Sequence, residues 1–154
     1  IRIGIVDRGV GILKTISALH RAKTDLQAIK LALTPGITGT TKRIGGTDYN
    51  AGAGLFFIKS IATVNKDFFV IYSGNGMYKL LKADNRKNIR LHADPFKDKH
   101  SKGGNFPYWQ GTAVGIDINL DNTEEFSLLL DLIRKSYSKA VKEQRKAYYK
   151  AKFI

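Results

Sequence analysis

The stretch "VDRGVGIL", residues 6–13, decides how this chain is read. Ile3, Ile5 and Val6 lead into it as a buried-looking strand. That strand delivers one carboxylate, Asp7, into two glycines spaced by one residue, Gly9 and Gly11. Asp and Gly are common wherever a strand stops, so an ordinary turn is one reading. The other is that the acid and the missing side chains make room for a ligand.

Outward from this turn, residues 12–20 can form a short helix after the glycines. "TDLQAIKLAL" then opens with Thr24 as N-cap and Gln27 three residues on, the pattern of a capping box. Leu26, Ile29 and Leu33 share one face of that helix, and Pro35-Gly36 stops it. Residues 34–54 are rich in Gly and Thr, carry Lys42 and Arg43, and show no sustained period. They read as a mobile loop or lid, about residues 35–51. An apolar helix at "LFFIKSIATV" follows, with Gly52 and Gly54 at its N-terminal end.

Two strands, "DFFVIYS" and "GMYKLLKA", flank Gly74-Asn75-Gly76, and Asn-Gly between such runs signals a hairpin. Residues 84–105 are polar, basic and poorly patterned, and are expected to be an exposed insertion without stable order. "GTAVGIDINL" reads as a further strand. A last helix starts at Asn122 or Thr123 with Glu125 near its third position. Phe126, Leu129, Leu130, Ile133, Tyr137, Ala140 and Val141 hold helical spacing along it, as a core or interdomain stripe. The order of strand, helices, lid, helix, hairpin, strand and helix suits an α+β layered sandwich.

Composition bounds the function. The chain has 154 residues and no cysteine, which rules out disulfides, thiolate nucleophiles and cysteine-ligated zinc and suits a reducing cytoplasm. No apolar run spans a bilayer, so no membrane partner is expected. Lys and Arg number 26 against 13 Asp and Glu, a formal charge of +13 that favours anionic partners, nucleic acid among them. His20, His92 and His100 lack metal-ligand spacing, and no metal ligand is identified. "AGAGLFFIK" is a glycine pair opening a helix, where free N–H groups and the helix dipole favour phosphate. Phe57 stands where the dinucleotide fingerprint needs a third glycine, and no GK[ST] triplet marks a P-loop.

The ordered motifs resemble the GHKL ATPases, the ATP-binding domains of gyrase, heat-shock chaperones, histidine kinases and mismatch-repair proteins. The resemblance runs from about residue 2 to residue 120. It implies a two-layer α/β sandwich of the Bergerat type, a mixed sheet with helices on one face, over residues 1–120; the basic amphipathic helix over 121–154 is read from its own spacing and lies outside the resemblance. It also implies an ATP or ADP ligand. Asp7 matches the family acid that accepts a hydrogen bond from the adenine amino group. Gly9 and Gly11 match the glycines that let the backbone pass close to base and ribose. Gly52 and Gly54, followed by Leu55, match the second glycine box, which holds phosphates. Thr112 in "QGTAVGI" matches the strand threonine that completes the adenine pocket. Lys42 and Arg43 are added from charge and placement alone, as lid cations within reach of phosphates or as exposed loop cations.

The departures limit the expected activity. In the family a preceding helix supplies the Asn that ligates Mg²⁺ and, in hydrolysing branches, an acidic base. This sequence begins at the strand, without an initiator Met, and reads as a piece of a longer protein. The magnesium ligand is expected outside it, together with a further domain or partner protein on the N-terminal side. Catalytic residues, and the choice between hydrolysis and phosphotransfer, stay open. Two alternatives stand beside this reading. One is a basic nucleic-acid-binding module, with Tyr148, Tyr149 and Phe153 stacking on bases. The other is a degenerate GHKL fold used for protein interaction.

Overall fold

The structure is a computed structural model that describes residues 1–82, 90–118 and 126–152. Its strands are β1 (Arg2–Val6), β2 (Phe69–Gly74), β3 (Gly76–Leu80), β4 (His100–Gly103) and β5 (Trp109–Asp117). Its helices are α1 (Gly11–Ser17), α2 (Asp25–Ala32), α3 (Gly54–Asn65) and α4 (Phe126–Lys152), with a short 3-10 turn at Pro95–Lys97. The strands form one sheet in the order β1-β5-β2-β3-β4. The fold is α+β, as the order of elements implies.

Every pairing among the described strands is antiparallel, which corrects the expected mixed sheet. The reason is where β5 lies. β1 and β2 run in the same direction, but β5 enters between them and is antiparallel to both. No parallel neighbours are left among the described strands.

The core forms where one sheet face meets the helices. Ile29 of α2, Leu33 at its C-cap and Ala62 of α3 pack on Phe69, Ile71, Tyr78 and Leu80, with Ile12 of α1 and Leu55 and Ile58 of α3 against the cluster. Alternate residues of β2 and β3 are buried, as a strand with one covered face requires. Thr24 caps α2 as expected, its side chain accepting from the Gln27 amide at 3.2 Å. The Gln27 side chain accepts from the Lys23 amide at 2.8 Å, one residue before the cap. The β2–β3 turn is Gly74-Asn75, closed by the pair Ser73↔Gly76. Gly74 has φ +61°, the glycine-first pattern of a type II′ turn, so the hairpin does not turn on Asn75-Gly76. A Cβ at Gly74 would collide with the Asp25 carboxylate, which accepts from the Asn75 amide at 3.0 Å and seats α2 on the hairpin.

Three sequence expectations change. β1 reads as buried, yet all five of its residues are exposed, Ile3 by 42% and Ile5 by 67%. These two oppose Ile116 and Val114, which pack against the core cluster, so they lie on the helix-bearing face at an edge no described helix covers. Residues 90–105 are ordered, not a loose insertion. They hold the 3-10 turn and edge strand β4, and Asp98 is buried against fully buried Lys59. Residues 35–51, expected as a mobile lid, are tied to α4. Gln144 Nε2 donates to the Pro35 carbonyl at 3.0 Å, Arg145 Nε to Ile44 at 2.9 Å and the Tyr137 hydroxyl to Ala51 at 2.6 Å. The remainder of the expected insertion, 84–89, and the caps Asn122, Thr123 and Glu125 lie outside the described residues.

Candidate functional site

The end of β1 is built around one carboxylate. Asp7 Oδ1 accepts from the Gly9 amide at 2.8 Å, an Asx turn two residues long, and from the Thr112 amide at 3.1 Å. The Asp7 amide in turn donates to the Thr112 carbonyl at 2.9 Å. Oδ1 is thereby fixed by two backbone donors, while Oδ2 receives no hydrogen bond among the described residues. A Cβ on Gly9 would come 3.1 Å from Asp7 Oδ1, a tight contact that the carboxylate would have to shift to relieve.

β5 reaches Asp7 through a bulge. Between the pairs Gly74↔Trp109 and Ser73↔Thr112 the register shifts, leaving Gln110 and Gly111 unmatched. Gly111 has φ +108°, and a Cβ there would collide with the Asp7 carbonyl oxygen. Beneath it, the buried hydroxyl of Ser73 donates to the Gly111 carbonyl at 2.7 Å and accepts from the Ile12 amide at 3.0 Å. This one hydroxyl joins the bulge to the first turn of α1, where Gly11 has φ +78°.

The result is a cleft of about 390 Å³, lined by Asp7, Gly9, Val10, Gly11, Ile12, Thr15, Ile16, Ala32 and Thr112. Its size falls in the range of small-molecule sites, roughly 300–1,000 Å³. One wall is apolar, from Val10, Ile12, Ile16 and Ala32, and the carboxylate stands at its edge. The lining thus combines apolar side chains with a carboxylate that can accept a hydrogen bond.

Four of the residues singled out in the sequence, Asp7, Gly9, Gly11 and Thr112, line this cleft together. The other five do not. Lys42 and Arg43 are exposed in the segment tied to α4. Leu55 packs against the hydrophobic cluster. Gly54 begins α3, whose N-cap Ala53 offers no side-chain cap. Gly52 has φ +66° and its amide donates to Asn50 Oδ1 at 3.2 Å, so that donor is already engaged. Sequence reasoning missed Ser73 and Gly111. "YSGNG" reads only as a turn, but a glycine inside the strand run at "QGTAVGI" is a signal for a bulge or a close backbone approach.

The three histidines have structural surroundings. His20 Nε2 meets the Thr38 carbonyl at 2.8 Å, and His100 packs near-parallel against both Tyr78 and Phe96, with centroids at 5.2 and 5.3 Å. The His92 carbonyl accepts from Lys59 Nζ at 3.2 Å. Among the described residues no three His, Cys, Asp or Glu side chains gather as a metal site. No helix there is long and apolar enough to cross a membrane. No known protein-family model matches the chain, and comparisons with curated proteins and with solved structures return no match.

Proposed function

We propose that this chain is an adenine-nucleotide-binding domain of GHKL type, with the base held in the cleft at the end of β1. The observation that carries the reading is the meeting of Asp7 and Thr112, 105 residues apart in sequence, at 3.1 Å. These are the two positions the family resemblance assigns to the adenine side. Locking Oδ1 and leaving Oδ2 toward a donor suits the exocyclic amine of adenine. Guanine offers a carbonyl at that edge and would leave the carboxylate unpaired.

Two further features support the assignment. The apolar wall of the cleft suits a purine face. The start of α3, without a side-chain cap, leaves amides for phosphate oxygens, provided Asn50 yields the Gly52 amide. The proposed activity is nucleotide binding. In this reading the bare apolar face of β1, at Ile3 and Ile5, is where a preceding helix or partner would pack.

Calorimetric titration with ADP, ATP and GTP tests the proposal. The expected result is adenine-selective binding that Asp7→Asn weakens about 10- to 100-fold, the worth of a hydrogen bond to a charged group. Equal affinity for ATP and GTP, or an Asp7→Asn protein that binds as the parent does, overturns it.

A further inference from the structure

α4 has two working faces. Its inner face carries Ile133, Ala140 and Val141, all buried, with Tyr137 and Gln144 half-buried beside them. On the opposite face Lys135, Lys139, Lys142, Lys146 and Tyr149 follow one another at steps of four, three, four and three residues, and all five are exposed. That spacing keeps one side of a helix, and at 1.5 Å per residue the line is about 21 Å long. None of its four lysines has an ion pair among the described residues. A shallow depression of about 510 Å³ runs along it, with Glu143 the single acid in its lining. Like charges at these spacings repel and cost helix stability, a cost that a bound anion would relieve.

We infer that this outer face of α4 is a docking track for single-stranded nucleic acid, the lysines following the phosphates and Tyr149 receiving a base. A row of cations that ends on an exposed aromatic ring, 59% accessible at Tyr149, is the combination single-strand binders use. A membrane surface fits less well. An interfacial helix inserts its apolar face, and here the larger apolar face is spent on α3 and the 35–51 segment, with Leu128 and Leu132 exposed only ahead of the lysine row. The track lies on the side of α4 turned away from those contacts, so it stands independently of the nucleotide proposal.

The test is the fluorescence anisotropy of a labelled oligothymidylate titrated with the whole chain, without nucleotide, over a series of salt concentrations. Four phosphate contacts predict a slope of log K on log salt near about −3, at about 0.7 per contact. Lys139→Gln with Lys142→Gln should about halve that slope, and arginine at the same two positions should restore it. Tyr149→Ala should lower affinity about tenfold with the slope unchanged. Circular dichroism should show the same helicity throughout, because these side chains are exposed. Asp7→Asn should bind the oligonucleotide as the parent does, which separates this outcome from failure of the adenine site. No binding at low salt, or a slope the glutamine pair leaves unmoved, overturns the inference. So does equal or tighter binding of duplex DNA or polyglutamate.

Discussion

At the scale of single residues, the candidate site depends on a few hydrogen-bonded atoms. Ser73 is buried and satisfies two backbone groups with one hydroxyl. Ser73→Ala leaves the Ile12 amide and the Gly111 carbonyl without that partner, at about 1–3 kcal/mol for a buried unsatisfied group. A lowered urea midpoint with unchanged m-value is the expected reading. Gly111→Ala acts differently, since its Cβ would collide with the Asp7 carbonyl in a backbone conformation that favours glycine. It is expected to weaken adenine-nucleotide binding as well as stability, by displacing Asp7 from the Thr112 amide. Nucleotide affinity measured at a temperature where both proteins remain folded checks this. Asp7→Asn, by contrast, keeps an acceptor for Gly9 and Thr112, so it should lose affinity with little loss of fold.

At the scale of elements, α4 governs the glycine-rich segment. Tyr137, Gln144 and Arg145 each donate to a carbonyl of residues 35–51, and a Cβ at Gly36 would come within 2.9 Å of the Val141 side chain. Burial pushes the Tyr137 hydroxyl up from its ordinary pKa, partly offset by Arg145. Arg145→Met frees the Ile44 carbonyl from an exposed side chain. Global stability should change within about 0.5 kcal/mol, while amide exchange over 36–46 should quicken. Unaltered exchange there would mean that the segment holds itself. The glycine content of residues 34–54 signals backbone freedom, and backbone freedom is what makes a segment read as a lid. Besides its internal hydrogen bonds, this one is tied to a helix about a hundred residues away, as the Arg145–Ile44 bond spans 101 positions, and no local pattern reports that.

At the scale of the whole molecule, the edge of the sheet is pinned by a charge pair inside it. Lys59 of α3 meets Asp98, just ahead of β4, with side chains 0% and 3% exposed. Removing one partner strands the other, so Asp98→Ala should cost about 3–5 kcal/mol, and Lys59→Met combined with Asp98→Leu should recover much of it. Two carboxylates in this region give opposite pH signs. Burial raises the Asp98 pKa above its ordinary 3.8, against the pull of Lys59. The folded state therefore holds that proton more tightly, and stability falls as pH rises from 3.8 through the raised value. Asp94 is held below 3.8: burial pushes it up, but the Phe96 amide and Lys30 together outweigh that. Its contribution is present above 3.8 and is lost as pH falls through the lowered value. Asp94→Asn keeps an acceptor for Phe96 and loses the Lys30 charge. Denaturant midpoints of parent and variant should therefore differ near neutral pH and converge in acid.

Local signals decided much of this protein. Thr24 and Gln27 mark the start of α2, Pro35-Gly36 lies just past its end, and the glycines around Asn75 announce the hairpin. The run from Leu55 to Val64 is helical, and the stripe through Ile133, Tyr137 and Val141 continues as one long helix. Each of these rests on contacts within a few residues, which is why sequence alone shows them. Asp7 and its glycines were legible for the same reason, because a strand ending on an acid is a local event. The position of β5 between β1 and β2, the bulge that brings Gly111 over Asp7, and the Ser73 hydroxyl beneath it were not. Nor was the second half of the insertion, where a buried Lys59–Asp98 pair makes a strand out of a stretch that reads as solvated charge. These depend on which distant backbone fills a vacant row of hydrogen bonds and which buried charge finds its partner. Only the closed tertiary structure sets that, because the energy of each such contact exists only once both sides are in place.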